Sequence, residues 1–491
     1  MKILDLPNEL LLRIFEQVLP SPVGASGDFD YTALREQSRE GGHVAVVQTL
    51  RLTCARFCEV SSELLIIHLD LDISPESLSK LERVAAHPTI RNGVRSVRLC
   101  IDRLDPIFAN DLSWFAKVVR YNATMHLRWL LTSADAEEVW QDRQMSVRAV
   151  DRLFPEEDNQ GEVKSEEMEK KTLRYCELLR TAHQHLRRAF DAQVSLLLSE
   201  SFTIRVATAI AAMPHARRFE LCSESNRPRV LRLEEWYDQD EFHGSSPYQS
   251  VLRSTERCLT IGWSDPSCTG VPSPSTAPSV FPTITLPTTL FSAFESAGVS
   301  LAALALRLSS PVSAEIPRPT PAQDTQLRSL VSNLQILEVN CLPPVNINFR
   351  TGMQIPNPPP SMDTWATLFS LLEPLVDTES LRSLEVNEYI SASLWTISLG
   401  DLIPIPIRRP WKHLSRIICS GVPIHPYELE EILGAITEER QVGIDLRCVE
   451  LLSGTWDELL DLLRWYGGDE VQAVPSPNYD WKVDISNLEA L

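Results

Sequence analysis

Leu334-Gln335-Ile336-Leu337-Glu338-Val339 places apolar residues at its first, fourth and sixth positions. The last two are two apart, which is the period of a strand with one buried face. The pattern returns as Val94-x-x-Val97-x-Leu99, Ala216-x-x-Phe219-x-Leu221, Leu301-x-x-Leu304-x-Leu306 and Leu381-x-x-Leu384-x-Val386. It is weaker at Leu414-x-x-Ile417-x-Cys419 and clear again at Leu446-x-x-Val449-x-Leu451. The last five copies begin at 301, 334, 381, 414 and 446, so they are spaced by 33, 47, 33 and 32 residues. The long interval contains the proline-rich stretch 342–361, so an insertion accounts for it.

Helices recur between these strands. Ile67–Ile73 alternates as a strand, and Ser74-Pro75-Glu76 then opens a helix with an N-cap and a proline at its first position. Leu78, Leu81 and Val84 carry its apolar face, and His87-Pro88 stops it. Thr364-Trp365-x-x-Leu368-x-x-Leu371-Leu372 matches Thr455-Trp456-x-x-Leu459-x-x-Leu462-Leu463, where Thr455 and Glu458 form a capping box. The two tryptophans share one repeat position and read as core packing. Pro426–Leu433 is a third helix in the same role. A strand–helix unit cannot cover its own apolar face, so such units stack. The expected fold class is α/β, a strand–helix array; an ordinary α/β domain with parallel strands is the alternative.

The first sixty residues differ. Pro7 begins a short helix in which Leu10, Ile14 and Val18 form one stripe, and Leu11 and Phe15 a second beside it. A second helix is expected over 46–60, with Val47, Leu50, Cys54 and Phe57 on one side. Two or three short helices cannot bury that much apolar surface among themselves. Leu6-Pro7-x-Glu9-Leu10-Leu11-x-x-Ile14-Phe15 resembles the opening of an F-box, and Leu52-x-Cys54-x-x-Phe57 resembles its closing helix, L-V-C-R-R-F in the family. Thr53 replaces the usual valine, Ala55-Arg56 replaces the basic pair, and a polar insertion of about residues 20–44 stands where the family has a short turn. The repeat is similar, more loosely, to a leucine-rich repeat: Asn340 and Asn387 fall near the place of its asparagine ladder, whereas Ser420 and Leu452 do not. An F-box ahead of degenerate leucine-rich repeats and proline loops resembles a large set of fungal F-box proteins.

This resemblance divides the chain into an F-box, 1–60, and an irregular leucine-rich-repeat-like solenoid, 61–491. It implies a docking segment for a Skp-family adaptor, and through it a cullin–RING (SCF-type) ubiquitin ligase. Leu6, Pro7, Leu10, Leu11, Ile14, Phe15, Cys54 and Phe57 would lie at or behind that contact. The array would take an unknown protein target. A scaffold working apart from any ligase is the alternative.

Several stretches stand outside the repeat. Residues 103–202 read as a helical insertion, with Leu179, Leu186, Phe190, Val194 and Leu197 at helical spacing and a charged, mobile segment 155–170 before them. Residues 264–289, 311–326 and 342–361 read as loop or disorder. Trp481, Val483 and Ile485 alternate as in a strand that folds back.

Composition and motif searches point away from catalysis. Of 491 residues, 46 are Lys or Arg and 66 are Asp or Glu, a net charge of −20 that opposes nucleic acid and anionic membrane. No apolar run is long enough to span a bilayer, and Asp5, Glu9 and Arg13 interrupt what a signal peptide would need. Ten cysteines without a CxxC fit a reducing compartment, cytoplasmic or nuclear. No phosphate-binding, dinucleotide, nucleophile-elbow or HExxH motif occurs. His183 and His185 point to different helix faces and read as solvated, and the carboxylate runs read as solvated charge. The expectation is no enzyme, no catalytic residue, no metal and no cofactor.

Overall fold

The computed structural model describes residues 3–18, 42–120, 147–148, 150–153, 166–199, 201–223, 260–261, 285–309, 319–342, 345–347, 354–356, 370–388, 398–403, 411–434, 436, 442–467 and 471–475. The strands are β1 (His68–Asp72), β2 (Ser96–Cys100), β3 (Arg103–Leu104), β4 (Arg218–Cys222), β5 (Thr260–Ile261), β6 (Ala303–Ser309), β7 (Ile336–Leu342), β8 (Val345–Ile347), β9 (Gln354–Pro356), β10 (Ser383–Glu388), β11 (Arg416–Ser420), β12 (Pro423–Ile424), β13 (Gly443–Leu451) and β14 (Val471–Pro475). The helices are α1 (Asn8–Val18), α2 (Gly42–Thr53), α3 (Ala55–Ser61), α4 (Pro75–Ala86), α5 (Ile90–Gly93), α6 (Pro106–Asn110), α7 (Glu166–Leu198), α8 (Ser201–Ala211), α9 (Leu286–Ser296), α10 (Pro321–Leu330), α11 (Leu399–Leu402), α12 (Pro426–Gly434) and α13 (Trp456–Gly467), with further helical turns at 112–120 and 370–376.

The protein is a mixed α/β structure built on one ten-stranded sheet in the order β1-β2-β4-β6-β7-β10-β11-β13-β12, with β14 also on β13. Its described pairings are all parallel. Parallel neighbours need a crossover between them, and here helices supply it. Register aligns the repeat positions. Leu69, Val97, Phe219, Leu304, Leu337, Leu384, Ile417 and Ile444 form one row across the sheet, and Leu71, Leu99, Leu221, Leu306, Val339, Val386, Cys419 and Leu446 a second. Both rows are buried against Leu78 and Leu81 of α4, Phe202 and Val206 of α8, Phe291 and Phe294 of α9, Leu327 of α10, Ile432 of α12 and Leu463 of α13. The residue after the first apolar position of each unit links it to the next: Gln335 N–H donates to Ala302 C=O (2.8 Å), Arg382 N–H to Gln335 C=O (2.8 Å) and Ser415 N–H to Arg382 C=O (2.8 Å).

The last unit corrects the sequence reading. Ile444 and Leu446, not Val449 and Leu451, continue the two apolar rows, so the pattern read at 446 is five residues late. The cause is a bulge: register slips between Arg447 and Val449, and Cys448 between them takes a φ of 52°. One extra residue reverses the inside–outside parity, so Val449-x-Leu451 repeats the pattern beyond the bulge.

Other boundaries move as well. The helix expected over 46–60 is two, broken at Cys54, whose φ/ψ of −163°/165° is extended and whose Sγ caps α3 at Phe57 N–H (3.4 Å). Within the stretches read as loop, α9 starts at Leu286 and α10 at Pro321, the latter with a complete Thr320–Gln323 capping box; β8 and β9 pair as an antiparallel hairpin inside 342–361. The charged segment expected to be mobile is helical from Glu166. Residue 202 is not insertion: Phe202 and α8 belong to the main core, whereas Phe108, Phe115, Val119, Leu179 and Leu186 form a separate one. Gln193 of α7 ties the two cores together, accepting from Leu104 N–H (2.8 Å) and donating to Asp102 C=O (3.2 Å) and Ile73 C=O (3.4 Å). The remaining parts of 20–44, 264–289, 311–326 and 342–361, together with Trp365 and the strand expected near Trp481, lie outside the described residues.

Candidate functional site

The N-terminal helices gather around a small core of Leu11, Phe15, Val47, Phe57, Val60 and Leu64. Phe15 and Phe57 meet edge to face at 4.9 Å, a favoured aromatic geometry. Pro7 stands just ahead of α1, and its C=O accepts from Leu10 N–H and Leu11 N–H (3.1 Å each). Arg56 holds that helix start in place: its guanidinium donates to Leu6 C=O (2.5 Å) and to Asn8 Oδ1 (2.9 and 3.0 Å). Arg51 reaches Ser62 Oγ (2.7 Å), closing α2 onto the turn that follows α3.

This packing divides the eight residues singled out in the sequence. Leu11, Phe15 and Phe57 are interior, Cys54 is half-buried in its cap, and Leu6 is half-buried under Arg56. Pro7, Leu10 and Ile14 face outward, and Ile3 joins them, 50% exposed. Leu10 is 45% and Ile14 38% exposed, one helical turn apart, so these two residues of the first stripe lie outside and the second stripe inside. Leu52, next to the α2–α3 break, is 87% exposed. Arg56 and Ile3 were not singled out; only the three-dimensional closure of α3 on α1 reveals them.

The module sits on the sheet through α5. A Cβ built on Gly93 would come within 1.5 Å of the Glu63 carbonyl oxygen, so only glycine allows this approach.

No family model, curated protein or solved structure matches the chain. The functional reading therefore rests on the residues themselves.

The sheet face opposite the apolar rows carries a second feature that the sequence reading passed over. Its middle row runs Asp70, Arg98, Glu220, Ala305, Glu338, Glu385, Ile418 and Asp445. Arg98 Nε lies 3.0 Å from Glu220 Oε1, and Arg307 Nε 3.5 Å from the same oxygen. Arg218 crosses the small Ala303 and Ala305 to form a two-pronged bond with Glu338, two strands away (2.7 and 2.8 Å). Such paired, fork-shaped contacts are the strong ones. Asn387 donates to Asn340 Oδ1 (2.8 Å) and to Glu385 Oε1 (2.7 Å). Burial, and then the Glu338 charge, push the Glu385 carboxyl above its usual range despite that bond. These residues occupy the unspecified positions of the repeat, where the apolar pattern gives no signal.

Cys100 and Cys222 stand side by side on β2 and β4, where the hydrogen bond between the two thiols, and then burial, push the Cys100 thiol well above its usual range. Burial pushes Cys419 up to about 12 and lowers His183, which packs on Phe115 at 5.6 Å. His183 is thus interior, not solvated as expected. Among the described residues no three His, Cys, Asp or Glu side chains are placed to hold a metal ion, and no single helix is long and apolar enough to cross a membrane.

Proposed function

We propose that this protein is a non-catalytic substrate receptor of an SCF-type cullin–RING ubiquitin ligase. In this reading residues 1–60 are an F-box that docks a Skp-family adaptor, and the strand–helix body is an irregular leucine-rich-repeat-like solenoid that holds a target protein. Its contribution to ubiquitin transfer is positioning. The observation that carries the reading is the outward stripe of Pro7, Leu10 and Ile14, backed by the buried Leu11–Phe15 stripe and set ahead of a parallel sheet whose strands from β1 to β11 follow one another in chain order. An apolar stripe held on a rigid base and left in water is what a helix-binding partner covers.

A pull-down with a Skp-family adaptor tests it. Wild type is retained, and the Leu10→Asp, Ile14→Asp double variant is lost; failure of wild type to bind removes the proposal. A second reading, a repeat scaffold working apart from any ligase, is favoured by the insertion between α1 and α2. It predicts that deleting residues 1–60 leaves partner binding intact and raises no partner's abundance.

A further inference from the structure

A groove runs between α12 and α13, lined by Pro426, Glu430, Glu458, Leu462 and Trp465. We infer that it docks an arginine-bearing segment of a partner protein, with the guanidinium between the two carboxylates and the indole. The site lies on helices, away from both the N-terminal stripe and the polar sheet face, so it stands or falls independently of adaptor binding.

Three observations carry the inference. First, the walls are built. Gly454 adopts a φ of 73°, and a Cβ placed on it would fall 2.6 Å from Glu458 Oε2 and 3.0 Å from Pro426 Cγ. The turn before α13 can therefore pass close enough to bring those two side chains together. Glu458 is fixed there by the capping box, accepting from Thr455 N–H (2.9 Å).

Second, the indole is left in water. Trp465 is 84% exposed, although Leu459 and Leu463 of the same helix are fully buried. Elsewhere the chain covers an indole with a cation: Lys117 Nζ lies 4.6 Å from the Trp114 ring. Trp465 has the same type of face without such a cover among the described residues.

Third, the charge is one-sided. α12 and α13 together carry six carboxylates and a single cation, Arg464, which is engaged by Asp461 (2.9 Å). Glu430 meets no cation among the described residues. An apolar occupant would strip water from Glu430 and Glu458 and give nothing back, which is costly. An acidic one would be repelled. An arginine supplies donors to the carboxylates, a planar cation to the indole and an aliphatic stem to Leu462 and Pro426.

The test is fluorescence anisotropy of a fluorescein-labelled Gly-Arg-Gly-Arg-Gly peptide titrated with the full-length chain at physiological salt. Trp465→Ala and the pair Glu430→Gln, Glu458→Gln are each expected to weaken binding about fivefold. Glutamine keeps the capping box, so the paired variant keeps its helix. Glu59→Gln with Glu76→Gln removes two carboxylates elsewhere and is expected to leave binding unchanged. No binding by wild type overturns the inference. So does equal weakening by the control pair, which would make the effect one of net charge, and so does unaltered binding by either groove variant.

Discussion

The N-terminal helices and the sheet bury apolar surface by different means. In the sheet, each strand row is covered by the helix of its own unit and by its neighbours, so one core runs from Leu69 to Leu463. Among the described residues the N-terminal module has six buried apolar residues and leaves Ile3, Leu10, Ile14 and Leu52 in water. Size explains the difference: a small cluster of short helices has too little interior to enclose both faces of α1. The sheet thus completes itself, while the module has an apolar stripe to offer.

This contrast can be broken at four points. The largest effect is expected in the sheet. Phe219 is fully buried and meets Phe294 edge to face at 4.8 Å, so Phe219→Ala should cost about 3–5 kcal/mol in urea unfolding. A loss below ~1 kcal/mol would mean that the core rows are not one continuous packing unit. Next is the joint between the regions. Gly93→Ala drives a methyl into the Glu63 backbone and should cost about 1–3 kcal/mol, with protease sensitivity rising first within residues 55–93. Unchanged protection there would show that the two parts are not coupled through this contact.

The polar sheet face gives a smaller effect with a defined sign. Because the Glu385 carboxyl is raised in the folded state, the unfolded chain ionises first as pH rises, and stability falls through that window. Glu385→Gln should therefore stabilise the protein at pH 7, and the gain should vanish below about pH 4, where the carboxyl is protonated in both states. A gain that persists at low pH would point to packing instead. The smallest effect belongs to the outward stripe. Leu10→Asp with Ile14→Asp should change thermal stability by no more than ~0.5 kcal/mol while abolishing the proposed adaptor binding. A large loss of stability would mark the stripe as internal to the fold.

Much of the sheet was legible beforehand, because strands with one covered face must repeat apolar residues in a fixed pattern. Leu304, Leu337, Leu384 and Ile417 all occupy the expected row. The last unit was misplaced because a bulge is a backbone event: Cys448 carries no compositional mark of its positive φ. Capping chemistry was readable where Ser74 and Thr455 open their helices, and it was passed over at Thr320, where a run of prolines outweighed it. The break at Cys54 was hidden because apolar periodicity continues across it.

The sequence by itself determined the α/β class, the two stripes of α1 and the absence of recognisable catalytic motifs, because periodicity and motif spacing are local properties of the chain. Only the tertiary structure decided which stripe is interior, since that depends on Phe57 and Arg56 arriving from distant points in the chain to meet Phe15 and Leu6. It also decided the polar row linking Arg98, Glu220, Arg218 and Glu338 and the groove beside Trp465. Those residues occupy positions that the repeat leaves free, and strand register and helix packing alone bring them together.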